Sequence, residues 1–246
     1  MNDSVYFDSF RLKATETDAS KRIKIPYLVN YMQEAAWTNA TKLGFSTYDL
    51  LNDNMTWVVN RMYVEFIELP SYPQLIDVET WPSDLDKFFA YRDFRVFDKN
   101  KKLLARATSN WLVLDIEQRK LISIPQHFID AGFTAERNAM PRVSDKYSYD
   151  EARTENTFKT AISWFDLDVN AHVNNIKYFQ WILDSLGSKV LEKLTCKTLD
   201  ITFKSEAGAD DKIISQSYST GENSFAHRII SETTGKVLVL ARTTFK

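Results

Sequence analysis

The chain has 246 residues, 44% apolar and 13% aromatic, enough for one large core or two ordinary ones, and nothing in it reads as disorder. A net charge of −2 with a pI near 6.0 supplies no global basic field for nucleic acid. One cysteine, Cys196, excludes an internal disulfide and a cysteine-rich zinc site.

Met1-Asn2-Asp3-Ser4 has neither a basic nor an apolar leader character, and no apolar run reaches the length of a membrane span. The expectation is a soluble, cytoplasmic protein. Phe7 to Lys13 is short and mixed, compatible with an edge strand. Lys24-Ile25-Pro26 opens a helix, because proline in a first turn gives up only an N–H that would be unpaired anyway. Leu28, Met32, Ala35, Ala36 and Leu43 recur at helical spacing, and Gly44 is a stop.

From Thr56 the period becomes two. In Trp57–Phe66, alternation points Val58, Met62, Val64 and Phe66 one way and Arg61 and Glu65 the other. Ile76–Thr80, much of Phe88–Phe97 and Leu103–Leu114 alternate likewise, with Asp98-Lys99-Asn100-Lys101 as a hairpin turn. Periodicity fades between about Ser123 and Glu155, which reads as a surface connection with room for a short helix. Thr157–Ser163 is strand-like. A helix follows with Val173, Ile176, Phe179, Ile182, Leu183, Leu186 and Val190 on one broad face, and Gly187 offers an end to it. Strands return at Thr198–Phe203, Lys212–Thr220, Phe225–Glu232 and Lys236–Phe245, with turns at Glu222-Asn223 and Thr234-Gly235.

Helix followed by four strands thus occurs twice. Leu104-Ala105-Arg106-Ala107-Thr108 and Leu240-Ala241-Arg242-Thr243-Thr244 repeat in the last strand of each half. Aligning Glu34 with Asp184 sets Leu28 opposite Tyr178, Arg22 opposite His172 and Ser20 opposite Asn170. The expected organisation is a unit at 1–122, a connector at 123–155 and a second unit at 156–246. A duplicated α+β unit buries each helix in a curved antiparallel sheet.

The chemistry concentrates in Asp168-Val169-Asn170-Ala171-His172, just ahead of the second helix. Acid, amide and imidazole stand at alternate positions. Asn170 is a good N-cap, and a histidine at a helix mouth lies near unpaired N–H groups that can hold an oxygen anion. The plainer alternative is a capped helix entry with a core histidine, and the residues alone do not separate the two. Asp166 reads as surface or capping, and Asn174 and Asn175 as bracing. His127 and His227 read as ordinary histidines, and Trp57, Trp111, Trp164 and Trp181 as core. Lys99, Lys101 and Lys102 form a charged turn that an acidic partner could meet, although such turns are usually just solvated.

Asp168 through Asn175, followed by Tyr178 and Trp181, resembles the signature of acyl-acyl carrier protein thioesterases, the plant plastid enzymes and their bacterial relatives. Thr56–Met62, Arg106–Trp111 and Ile122–Pro125 are similar to that family's first-half motifs. The resemblance covers nearly the whole chain. It implies a double hotdog fold, each half a sheet wrapped round a helix, and release of fatty acid from acyl carrier protein. It implies a fourth site residue, Glu206, in the strand after the second helix, giving the set Asp168, Asn170, His172 and Glu206. Plant members commonly carry cysteine after that glutamate. Here Ala207 follows, which removes a covalent-cysteine route, and Cys196 reads as a buried small hydrophobe.

The implied chemistry is water attack with no metal and no cofactor. Glu206 or Asp168 is the base and the other orients His172 or Asn170. Acyl-CoA as donor, a 3-hydroxyacyl thioester dehydratase and a non-catalytic acyl-binding module are the alternatives. The expected assembly is a monomer or homodimer, with no nucleic acid or membrane partner.

Overall fold

The structure, a computed structural model, describes residues 4–132, 134–135, 137–168 and 172–246. Contacts within the chain divide it into two units, residues 1–142 and 143–246. The first contains β1 (Tyr6–Arg11), α1 (Ile25–Leu43), α2 (Thr47–Leu51), β2 (Met55–Phe66), β3 (Leu75–Leu85), β4 (Ala90–Asp98), β5 (Leu103–Asp115), β6 (Lys120–Ile122) and α3 (Gln126–Asp130). Its strands lie side by side in the order β1-β3-β4-β5-β2, antiparallel throughout, with β6 added to β5.

The core forms where α1 lies on this sheet. Leu28, Val29, Met32 and Ala35 of the helix are sealed, as are Ile76, Val78, Phe94, Val96, Ala105 and Ala107 of the strands. Pro26 occupies the first turn of α1, and Gly44 ends the helix at φ 76, a left-handed conformation that glycine adopts without a Cβ penalty.

Alternation in β2 breaks at Asn60. Val59 pairs with Trp111 and Arg61 with Asn110, so Asn60 is an inserted bulge residue. The parity flips there: Val59, not Val58, is buried, while Met62, Val64 and Phe66 keep the expected face. Asn60 Nδ2 donates to Asn110 Oδ1 at 2.7 Å and ties the two strands at the insertion.

The connection after β6 runs over the surface as expected, but Ile124, Phe128, Ala135, Ala139 and Met140 anchor it in the first unit. Phe128 joins Leu50, Met55, Val113 and Ile124 in a second apolar cluster. The N–H of Ala139 donates to the buried carboxylate of Asp93, and Arg137 pairs with Glu79 at 2.6 Å beside the sealed Trp81.

The second unit contains β7 (Asn156–Ala161), α4 (Asn175–Asp184), α5 (Ser188–Lys193), β8 (Cys196–Phe203), β9 (Lys212–Gly221), β10 (Ser224–Ser231) and β11 (Val237–Phe245). Its order is β8-β11-β10-β9-β7, again antiparallel. Phe179 and Ile182 of α4 are sealed against β9 and β10. The single long helix expected here is two. Gly187, at φ 75, turns the backbone between α4 and α5, so Val190 leaves the buried face. Each unit is thus a helix held against an antiparallel sheet, the hotdog arrangement. No described helix is long and apolar enough to cross a membrane.

Candidate active site

β7 leads through Ile162 into a one-turn 3₁₀ helix, Trp164–Asp166. The Asp166 carboxylate accepts the Ser163 N–H at 2.8 Å and its hydroxyl at 2.9 Å, closing the turn on itself. Lys177 of α4 reaches back to the same carboxylate at 2.7 Å. Burial pushes the Asp166 pKa up, but Lys177 and Ser163 outweigh it and hold the group below the ordinary carboxylate range. Asp166 is therefore a capping acid as expected, but it is buried rather than on the surface.

Beyond it the chain closes a tight hairpin. Leu167 bridges Val173, Asp168 N–H donates to the His172 carbonyl at 2.7 Å, and His172 N–H donates to Asp168 Oδ1 at 3.2 Å. Asp168 and His172 thus face each other across the hairpin neck. Val169, Asn170 and Ala171 at its tip lie outside the described residues, so the structure does not place the Asn170 side chain. The helix cap is Asn174, whose Oδ1 accepts from Ile176 N at 3.0 Å, and α4 begins at Asn175. The cap expected at Asn170 moves four residues on because the Leu167–Val173 bridge must close before helical dihedrals can start.

Glu206 arrives from the other side of the unit. It lies in a loop beyond β8 rather than in a strand: the β8–β11 ladder ends at Phe203, and Lys204 and Ser205 both donate to the Leu238 carbonyl. Ala207 is buried and its N–H donates to the Tyr178 hydroxyl at 3.2 Å. Tyr178 is on α4, and burial pushes its own pKa up to about 12, so the neutral phenol is what holds the loop. The result is His172 Nδ1 at 3.8 Å from Glu206 Oε2, with side chains about half exposed (51% and 48%). An imidazole and a carboxylate that water and substrate can both reach are thereby brought together. Sequence reasoning named His172 and Glu206 but gave Tyr178 no part in placing them.

The first unit contains the same scaffold 150 positions earlier. β1 spans 6–11 against 156–161 in β7, its 3₁₀ turn 14–16 against 164–166, and α1 starts at 25 against 175. Thr17 bridges Ile23 as Leu167 bridges Val173, and Asp18 N–H donates to the Arg22 carbonyl as Asp168 does to His172. Glu16 takes the place of Asp166 and binds the Tyr31 hydroxyl of α1. Arg22 bridges Ser71 and pairs with Asp18 at 3.1 Å. The acid at the hairpin neck is thus common to both units, whereas histidine is replaced by arginine and asparagine by serine. The first half is thus the same scaffold with one of the polar positions kept, Asp18.

Other expectations divide. Cys196 is buried, which pushes its thiol up to about 12. His227 is sealed between Thr243 Oγ1 at 2.8 Å and Ser185 Oγ at 3.4 Å, and burial drives its pKa down to about 3. Trp181 is core, but Trp164 is 78% exposed and stands edge-on to Phe165, itself 84% exposed. A 3₁₀ turn of three residues has no face turned wholly inward, so aromatic identity misled there. Lys101 and Lys102 pair with Asp77 and Glu68 within their own unit.

Residues 3–131 match the family profile described as acyl-ACP thioesterase N-terminal domain, and residues 147–246 that of the C-terminal domain. The chain belongs to the acyl-ACP thioesterase family. Among relatives of this family, a chloroplastic palmitoyl-acyl carrier protein thioesterase of Arabidopsis thaliana is 30% identical over 229 residues, 88% of this chain and 56% of that protein. Its counterpart in Gossypium hirsutum is 31% identical over 232 residues, with 89% and 56% covered. The chain therefore spans about half the length of the curated relatives it matches. Among solved structures, the 12:0-ACP thioesterase from Umbellularia californica superposes with a TM-score of 0.91 at 24% identity, over 98% of this chain and 97% of that one. An acyl-ACP thioesterase from Bacteroides thetaiotaomicron gives 0.89 at 23%, over the whole of both chains. These likenesses establish the fold: two hotdog units in tandem.

Proposed function

We propose that this protein is a thioester hydrolase that releases free fatty acid from acyl-acyl carrier protein. The observation that carries the reading is the approach of His172 Nδ1 to Glu206 Oε2 at 3.8 Å, in the unit whose twin has Arg22 at the position of His172. Family membership supports the substrate class, and relatives such as the Arabidopsis thaliana palmitoyl-acyl carrier protein thioesterase support the carrier-bound donor.

In this mechanism Glu206 takes a proton from water as the water oxygen attacks the thioester carbonyl carbon. That proton passes from Glu206 to His172 and on to the departing sulfur as the tetrahedral intermediate collapses, leaving a carboxylic acid, a free thiol and both side chains in their starting states. Asp168 holds the His172 backbone through Oδ1 and so sets where the imidazole stands. Asn170 is assigned to the oxyanion on residue type alone. Correct base placement contributes about 10²–10⁴-fold, and one oxyanion donor on the order of 10²–10³-fold. With Ala207 after Glu206 no thiol stands beside the acid, so water rather than cysteine is the nucleophile.

The test is thiol release from a panel of acyl carrier protein and CoA thioesters by wild type, His172→Ala and Glu206→Ala. Turnover on the carrier-bound donors that falls at least 100-fold in both folded variants is the expected result. No wild-type turnover on any donor overturns the reading, and survival of activity in Glu206→Ala transfers the base to Asp168.

A further inference from the structure

The 3₁₀ turn at Trp164–Asp166 holds two large apolar side chains in water. Trp164 is 78% exposed and Phe165 84%, and their rings stand edge to face with centroids 5.5 Å apart. Folding does not ask for them. The twin turn of the first unit, Ala14–Glu16, is closed by the same bonds: Lys13 N–H donates to the Glu16 carboxylate at 2.9 Å, as Ser163 N–H does to Asp166 at 2.8 Å. Glu16 N–H donates to the Lys13 carbonyl, and Asp166 N–H to that of Ser163, both at 3.0 Å. The two outward positions of that turn are exposed as well, and Ala14 and Thr15 occupy them. Alanine and threonine therefore satisfy this turn, and tryptophan and phenylalanine in the same places gain it no burial. Large aromatic side chains left in water mark an interaction surface, and tryptophan above all is enriched among interface anchors.

Position and area together indicate what covers them. The turn is fastened to the histidine hairpin: the Asp166 carbonyl accepts the Asn174 N–H at 2.8 Å, and the Asp166 carboxylate holds Lys177 at 2.7 Å. Phe165 stands three positions before Asp168. His172 and Glu206 are themselves about half exposed. A thioester borne on a carrier protein reaches them only while the carrier rests on the surface round them, and the aromatic turn adjoins that surface in the unit that has the histidine. Aromatic side chains bury about 150–250 Å² each, so at this exposure the pair offers roughly 250–400 Å². A stable dimer needs about 800 Å² from each partner, which sets aside a second copy of this chain held by these rings. An anchor of the smaller size suits a partner that docks weakly and leaves after each turnover.

We propose that Trp164 and Phe165 are the docking anchor for the carrier protein of the thioester substrate, packing against apolar side chains on the carrier surface beside its acyl-bearing arm. The inference rests on the hydrolase reading for the kind of partner and adds where that partner binds.

The experiment reads binding without turnover. The full chain is titrated calorimetrically with acyl carrier protein whose arm holds an octanoyl, dodecanoyl or hexadecanoyl group through an amide in place of the thioester. Trp164→Ala combined with Phe165→Thr gives this turn the residues of its twin and leaves the cap intact. This variant is expected to bind the carrier at least tenfold more weakly than wild type, and to match wild type for the same amides on free pantetheine. Equal affinity of the two proteins for the carrier overturns the proposal, as does a wild type that binds none of the carriers. A loss as large for the pantetheine amides also overturns it, because the rings then serve the arm or the site and not the carrier. Sedimentation with phosphatidylcholine–phosphatidylglycerol vesicles that the variant loses, with carrier affinity unchanged, assigns the rings to a membrane and overturns it too. Ring-dependent carrier binding by a wild type that turns over no thioester would instead sink the hydrolase reading and leave the docking site.

Discussion

His172 and Glu206 meet because each is the last residue of a separate backbone device. His172 closes the neck of a hairpin whose other side is Asp168, and Glu206 rides a loop fastened by the Ala207 N–H to Tyr178. Tyr178→Phe removes the acceptor of a buried N–H and keeps the ring packing against Trp181 and Phe203. It is expected to cost about 1–3 kcal/mol of stability, read by urea denaturation, and to lower kcat more than it raises KM, read by thiol release. Asp166 gives a pH signature at the same scale. Its folded pKa lies below its ordinary value of 3.8, so the stability it contributes is complete above that value and is lost as pH falls through the folded pKa. Melting temperatures of wild type and Asp166→Asn should stay separated above about pH 3.8 and draw together as pH falls from there through the folded pKa. Parallel curves at all pH would show that the Lys177 pair contributes nothing. The letters disclosed Asp168, His172 and Glu206 as types of residue in a pattern. They could not disclose the 3.8 Å approach, because Glu206 is 34 positions from His172 and its loop is held by a helix side chain.

At the scale of elements, the hairpin and the start of α4 are one construction. Asn174 caps the helix one residue after the bridge residue Val173, so the cap fixes the hairpin's exit. Asn174→Ala is expected to destabilise the unit by about 1 kcal/mol, measured by denaturation, and to lower kcat by a larger factor than that loss implies, because His172 moves with the exit. Gly187→Ala places a Cβ at φ 75 with nothing within 4 Å to clash, so its cost is backbone strain alone, about 1–2 kcal/mol, seen as a lower urea midpoint without loss of activity. Element positions were readable where pattern and punctuation agree, as in α1 with Pro26 and Gly44. They were not readable at Asn60, since a bulge is a single inserted residue that only the pairing partner reveals. Trp164 reads as core for a related reason: apolar identity records composition, while exposure depends on what packs above a turn.

For the molecule as a whole, the second unit contains a histidine that its own core forbids to charge. His227 titrates at about 3 when folded against 6.5 ordinarily, so the unfolded chain binds the extra proton first. Stability should therefore fall as pH drops from about 6.5 toward 3, a loss that His227→Gln should largely remove. Urea midpoints at pH 7 and pH 4 for both proteins measure it, and equal losses in the two would refute the assignment. This proton sensitivity lies away from the site residues, so acid inactivation can come from unfolding as well as from chemistry.

The duplication is where sequence and tertiary structure divide most plainly. Periodicity, the Leu-Ala-Arg-x-Thr repeat and the alignment of Arg22 with His172 determined two α+β units and which of them carries histidine, because these depend on local dihedral preference and on apolar spacing along one strand or helix. The same repeat appears in space as Arg106 with Glu65 and Arg242 with Asp200, each a cross-strand pair one strand over. Tertiary structure alone decided that Asp168 faces its own hairpin and that Glu206 faces His172. Each of those depends on which residues distant in sequence share a few ångströms, and no spacing along the chain encodes that.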